Sequence, residues 1–233
     1  MKLCKAINCV LCRKAGVPIA PSLILMRRPQ LTRLLLSGLA VVLVAGFLIP
    51  RLDLGFGSAQ MDSGLLLDPA RPLQNWPAPL ITEDAQAFGL SDFEGAYHLL
   101  FFGFASCPDI CPNTLLQLAR VYRDLPQSIQ QQLNVVLVSV DPERDTPAKL
   151  RAYVKNFHTD FRALTGPEAA IADLSGQAGI AYMKVDLDEG YTVDHSAALV
   201  LLNPQAQIQA YFAPPLKLDS LQSDLISLIQ SRS

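Results

Sequence analysis

Charge is thin along this sequence and close to balanced: 17% of its 233 residues are charged and the net is −2. That balance leaves no basic face for nucleic acid and no acidic tail. Histidine is scarce, with three in the chain, and cysteine little commoner, with five. Cys4, Cys9 and Cys12 stand near the start, so only Cys107 and Cys111 remain for the rest of the chain. An exported domain with a single cysteine pair is no disulfide-stapled scaffold. At about 160 residues it can build an ordinary core without staples, which leaves the pair free for chemistry. The sequence has no internal repeat and no low-complexity tract. Negative charge is missing altogether from the first part: Lys2, Lys5, Arg13, Lys14, Arg27, Arg28 and Arg33 all precede Asp53, the first acidic residue.

What is present begins with LLLSGLAVVLVAGFLIP, the uncharged run Leu34 to Pro50 between Arg33 and Arg51. A spanning helix needs roughly 17–25 apolar residues, and a signal-peptide core about 7–15. The run therefore predicts a single-pass anchor at 34–50 in the inner (cytoplasmic) membrane. A basic tail, 1–33, stays cytoplasmic, and everything after Arg51 lies on the periplasmic or extracytoplasmic side. The small residues in Phe56-Gly57-Ser58-Ala59-Gln60 would also allow cleavage. Met26-Arg27-Arg28 reads as a natural start just before the anchor, and Cys9-x-x-Cys12 alone is too weak a pattern to assign metal.

A linker, 51–75, follows, with Gly55, Gly57, Gly64, Pro69 and Pro72 and neither helical nor strand periodicity. The remainder, 76–233, alternates. Tyr97 to Phe104 is a continuous apolar run, as for a strand buried on both faces. Leu115, Leu118, Ala119 and Tyr122 make one helix face. Val135 to Val140 is a second buried strand. Thr146-Pro147 reads as an N-cap and first helical residue, with Leu150, Tyr153, Val154 and Phe157 as the stripe behind it. Glu168 to Ala178 reads as a further helix, and Ala197 to Leu202 as a third apolar strand turned by Asn203-Pro204 into the alternating Gln207 to Phe212. Leu218, Leu221, Leu225 and Leu228 close the chain as an amphipathic helix. Strand–helix–strand–helix followed by a hairpin and helix describes an α/β domain with a thioredoxin-like, central mixed sheet flanked by helices.

Chemistry concentrates where the first buried strand ends. Cys107-Pro108-Asp109-Ile110-Cys111-Pro112 lies at a helix start, the edge where ligand sites of open α/β sheets gather. Unpaired amides and the positive dipole end there favour thiolate over thiol. Cysteines four apart can share a face, both sulfurs outward. Two thiolates are soft ligands that suit Cu(I) or zinc, not magnesium or calcium. A closed four-ligand zinc site would need carboxylates here. Two sulfurs and one imidazole instead fit three-coordinate Cu(I), or Cu(II) with an added ligand. Of the histidines, His98 sits inside the first strand and reads as packed, and His158 follows a helix stripe and reads as solvated. His195 stands just before the third strand, in a loop that a thioredoxin-like fold sets beside the cysteines. Asp194 either orients its imidazole or is a loop-end carboxylate. Ser139 to Pro147 shares the same sheet edge; Asp145 or Thr146 caps the helix, Arg144 pairs with a carboxylate, and Asp141 lies near the metal or on a docking surface.

At this point the residues resemble a known family. FGFASCPDICPNTL, VSVDPERDTPAKLRAYV, Leu164 to Gly166 and VDHSAALVLLNP, in that order from about Trp76 onward, resemble the Sco/SenC copper chaperones. The departures, Ala105 and Asn203-Pro204-Gln205-Ala206, remove no ligand. The resemblance implies a thioredoxin-like fold on a single membrane anchor and one copper ion held by Cys107, Cys111 and His195. It also implies a role in maturing the dinuclear copper site of cytochrome c oxidase, with the oxidase's copper-site subunit and a copper donor protein as partners. The competing class is a membrane-tethered thiol-disulfide oxidoreductase cycling Cys107 and Cys111. Redox enzymes of the thioredoxin type use Cys-x-x-Cys facing a cis-proline. Here the spacing is Cys-x-x-x-Cys, and the resemblance puts His195 where that proline would stand, which helps a metal site more than disulfide exchange.

Overall fold

The computed structural model describes residues 61–231. The basic tail 1–33, the predicted anchor 34–50 and the first ten residues of the predicted linker lie outside the described residues. Among the described residues no helix is long and apolar enough to cross a membrane.

The elements run β1 Gly64–Pro72, β2 Leu80–Thr82, β3 Ala87–Phe88, a 3-10 turn Leu90–Phe93, β4 Tyr97–Gly103, α1 Ile110–Asp124, α2 Gln127–Gln130 and β5 Leu133–Ser139. There follow α3 Pro147–Lys155, β6 Arg162–Thr165, α4 Glu168–Gln177, β7 Tyr182–Asp186, β8 Tyr191–His195, β9 Leu199–Leu202, β10 Gln207–Phe212 and α5 Leu218–Gln230. One sheet takes the order β1-β10-β9-β4-β5-β6-β2-β3, and β7 and β8 pair separately as a two-stranded ribbon. β4, β5 and β6 are parallel neighbours, and β9 lies antiparallel on the other side of β4. The sheet is thus mixed, with its parallel strands central, as the apolar runs predict.

Local chemistry accounts for the elements that place the site. Every residue of β4 is buried, and Phe101, Phe102 and Phe104 are among the largest fully enclosed side chains. α1 buries Leu115, Leu118, Ala119 and Tyr122 as one stripe. It stops at Leu125, held extended (φ −71°, ψ 145°) because the following Pro126 disfavours a helical residue before it. α3 starts where Thr146 Oγ1 accepts the Lys149 amide (3.3 Å) and Pro147 occupies the first turn. α5 lies beside α1, tied by Gln222 Nε2 donating to the Asp124 carbonyl (2.8 Å).

Three expectations change here. Nine residues of the predicted linker form a strand: β1 pairs antiparallel with β10 from Gly64–Phe212 to Pro72–Gln207. Its ladder breaks between Leu66 and Arg71, which is where Pro69 needs no donor, and an edge strand tolerates such a residue. Gly64 permits the close approach, since a Cβ there would stand 2.6 Å from the Tyr211 carbonyl oxygen. The chain is already fastened at Ser63, whose amide (2.9 Å) and hydroxyl (2.6 Å) both donate to Asp224. Second, His158 is only partly solvated; its ring packs edge-on against Tyr122 (4.8 Å) and near Phe161 (5.4 Å). Third, β7 and β8 form a ribbon where the sequence suggested a loop.

His98 is packed, as expected. It is 6% exposed, edge-on to Phe93 (5.0 Å), with neither ring nitrogen hydrogen-bonded. Burial, aided by the Arg162 guanidinium, lowers its pKa from 6.5 to about 4. Because the folded pKa lies below the unfolded one, the titration of His98 costs nothing above pH 6.5. As pH falls from 6.5 towards 4 the unfolded chain takes up a proton that the folded one refuses, and stability drops by up to about 3 kcal/mol. Urea unfolding of the native chain and His98→Leu at pH 7 and pH 4.5 should show a smaller acid loss in the variant. Equal losses would refute this.

Candidate metal centre

β4 delivers the chain to the sheet edge at Gly103, and a turn closed by the Cys107 amide on the Phe104 carbonyl (3.2 Å) leads into α1. Cys107 precedes the helix and is half-buried; Cys111 sits in its first turn and is fully enclosed. Both are free thiols. The Cys111 amide, one of the helix-start donors, points at Cys107 Sγ (3.5 Å). Gly103 makes room for the second sulfur: a Cβ there would stand 2.7 Å from Cys111 Sγ and 3.1 Å from the Phe101 ring.

The two sulfurs do not share an outward face, contrary to expectation. Ile110 is half exposed, but Cys111, the next residue, is fully enclosed and lies within the core. Burial pushes its thiol well above the ordinary range. A backbone hydrogen bond at Phe104 works the other way, and the neighbouring Cys107 and Asp145 add to the rise. The helix start therefore does not make Cys111 a ready thiolate. A cation has to displace its proton.

His195 is the last residue of β8, paired across the ribbon with Tyr182. Its Nε2 lies 3.3 Å from Cys111 Sγ, and its Nδ1 lies 3.3 Å from the Ser196 carbonyl oxygen. A carbonyl only accepts, so Nδ1 carries the proton and Nε2 keeps its lone pair towards the sulfur. Burial lowers the pKa of this imidazole, with the Ser196 carbonyl and Asp194 opposing, so it stays neutral near pH 7. The Ser196 carbonyl, not Asp194, makes the ring's orienting contact; Asp194 is exposed. The rings of Phe101 (6.0 Å) and Phe104 (5.9 Å) stand edge-on to the imidazole and fix its plane.

Cys107, Cys111 and His195 thus offer two sulfurs and a nitrogen, all within 4.8 Å of one another. Three ligands at about 2.0–2.3 Å around one planar ion stand roughly 3.5–4 Å apart. The donor set needs only small movements to reach that geometry, and its softness suits Cu(I). Among the described residues it is the one group of three or more potential ligands at such distances.

The stretch after β5 holds both halves of the site. Asp145, 1% exposed, accepts from the Ala105 amide (2.9 Å) and Ser139 Oγ (2.7 Å) through one oxygen and from Lys149 Nζ (3.0 Å) through the other. Lys149 also donates to Ser106 Oγ (2.8 Å), beside Cys107. Thr146, not Asp145, is the cap. Asp141, 3% exposed, takes Arg144 Nε (2.5 Å) and the Tyr191 hydroxyl (2.8 Å). Arg144 donates in turn to the Tyr191 carbonyl (2.9 Å) and lies over the Tyr191 ring (3.9 Å) and the Phe104 ring (5.7 Å). One branch grips the cysteine turn and the other the start of β8, so Asp141 acts on the site by holding the ribbon. Sequence reasoning missed Tyr191, Ser139 and Lys149; a lone hydroxyl, Ser139, ending an apolar strand was the available signal.

The family model described as SCO1/SenC matches residues 75–230. A putative copper-binding protein of Stutzerimonas stutzeri is 36% identical over 181 residues, 75% of this chain and 89% of its own length. The solution structure of apo Sco1 from Thermus thermophilus superposes with TM-score 0.62 at 34% identity, over 71% of this chain and 95% of that one. The crystal structure of Arabidopsis thaliana ScoI with copper bound does so with TM-score 0.61 at 32% identity, over 67% and 98%. The fold is thioredoxin-like α/β, and the chain belongs to the SCO1/SenC family.

Proposed function

We propose that this protein is a copper metallochaperone. It holds one Cu(I) on Cys107, Cys111 and His195 and delivers it during maturation of the dinuclear copper site of a respiratory cytochrome c oxidase. The observation that carries the reading is the convergence of two sulfurs and an unprotonated Nε2 within 4.8 Å at an accessible helix start. The copper-bound state of the Arabidopsis relative supports it. Cys107, half-buried at the groove, is the sulfur a recipient reaches first; its ligands replace Cys107 and then the enclosed pair, and copper passes by ligand exchange. The donor of copper and the recipient subunit are separate proteins. Residues 34–50 anchor the chain in the inner membrane, with the domain on the periplasmic side near a membrane-embedded target.

The second reading, reduction of a partner's cysteines, draws on the same asymmetry. A partly exposed Cys107 can attack a disulfide, and the enclosed Cys111 can resolve the mixed disulfide.

A competitive Cu(I) titration of the full chain, beside Cys107→Ser and His195→Ala, tests the first reading. One-to-one binding is expected, lost in the cysteine variant and weakened in the histidine variant. Failure of the native chain to compete, with a readily cycling Cys107–Cys111 disulfide, would favour the reductase.

A further inference from the structure

The groove over Cys107 and His195, about 320 Å³, is walled by Phe104, Pro108, Ile110 and Val193, and its rim carries Asp109 and Asp194. Ile110 is 50% exposed there. The ribbon that ends in His195 runs back from the groove to a tip formed by Asp186, Leu187, Asp188 and Glu189, all exposed, with Leu187 at 54%. At about 3.3 Å per residue the tip stands roughly 15 Å from His195, within the footprint of an ordinary protein interface.

The charges on this face are one-sided. Its cations are all neutralised: Arg144 by Asp141, Lys149 by Asp145 and Lys184 by Glu143. Asp109, Asp186, Asp188, Glu189 and Asp194 have no ion pair among the described residues, and only Asp109 has a side-chain partner, the neutral Asn113 (2.6 Å). The face therefore has an apolar, metal-ligating centre and an uncompensated anionic border. A second copy of the chain would bring the same five carboxylates against these, and an anionic lipid surface would be repelled as well.

We infer that this face docks a copper-exchanging protein whose soft-donor site is set in a lysine- or arginine-rich surface, with Ile110 and Leu187 as its apolar contacts. The inference rests on the metallochaperone reading for what is exchanged, but the docking stands on charge and shape.

The test uses the full chain in detergent, loaded with Cu(I), and two synthetic acceptor peptides with the same Cys-x-x-x-Cys centre, one flanked by lysines and one by glutamates. The lysine peptide should take copper at least about 10-fold faster at low ionic strength. The gap should close in about 0.5 M salt, where charges are screened within a few ångströms. Neutralising the tip with Asp186→Asn, Asp188→Asn and Glu189→Gln should also close most of the gap, while Cu(I) affinity from competition stays unchanged. Equal rates for the two peptides at low salt, or a preference that survives the neutralised tip, would overturn the inference. If the native chain fails to bind Cu(I), the metallochaperone reading falls alone. Docking is then read without copper, from amide shifts of Asp109 and Asp186 to Glu189 on adding a lysine-flanked peptide with serines for cysteines. Shifts confined to that face support docking, and their absence refutes it.

Discussion

Cys111→Ser should lower the affinity for Cu(I) by more than about 100-fold, since merely removing a group that supports a metal ligand costs 10–100-fold. The residue is fully enclosed, its sulfur lies 3.3 Å from His195 Nε2, and no other cysteine of the described residues can replace it. Serine also places a shorter hydroxyl in this enclosed site, at a cost of about 1–3 kcal/mol where it falls short of His195 Nε2. Cys111→Ala removes the ligand without burying a hydroxyl, so equal loss of copper in both variants isolates the ligand effect from the folding effect. The native protein carries a further signature. Burial keeps the Cys111 thiol protonated through neutral pH, so copper must release that proton on binding. Affinity should rise with pH by about tenfold per unit from this proton alone, and the Cys111→Ala variant should lose that contribution. Competitive titration at pH 6, 7 and 8 checks both. A Cys111→Ser protein with native affinity would remove the residue from the centre.

The parts of this architecture that sequence made legible are those whose cause is local. β4 and β5 announce themselves as apolar runs, α1 by the 3.6-residue stripe through Leu115, Leu118, Ala119 and Tyr122, and α3 by Thr146-Pro147. The candidate ligands stood out by rarity, being the last two cysteines and one of three histidines. The parts that escaped depend on partners distant in the chain. β1 shows no alternation because its strand character comes from β10, and its irregular stretch accommodates Pro69. Of the β7–β8 ribbon only Val193 is buried, and its strand character comes from the pairing of the two segments rather than from a long apolar run in either. Gly190, at φ 78° beyond Asp188 and Glu189, was the one local sign of its turn. The enclosure of Cys111 was equally illegible, because a helix-start position fixes direction but not which side the core will cover. His195 was found for the right neighbourhood and the wrong element.

What makes three distant residues a site is the buried polar framework between them, and Asp145 is its least replaceable member. It receives three donors from three segments: the Ala105 amide of the cysteine turn, Ser139 at the end of β5 and Lys149 of α3. Asp145→Ala leaves the Ala105 amide and the Ser139 hydroxyl without their acceptor and Lys149 without its counter-charge. The predicted loss of stability is about 2–4 kcal/mol, measured as a lower urea midpoint at unchanged slope. Asp145→Asn separates charge from shape. Its amide oxygen can still accept from the Ala105 amide and Ser139, while Lys149 loses its anion. Half or less of the destabilisation is therefore expected, since Lys149 is 40% exposed and reaches water. Copper affinity should follow the same order, native above Asn above Ala, because the Ala105-Ser106-Cys107 turn loosens as its tether goes. A native affinity in Asp145→Ala, alongside lost stability, would show that the metal orders the cysteine turn without help from the framework.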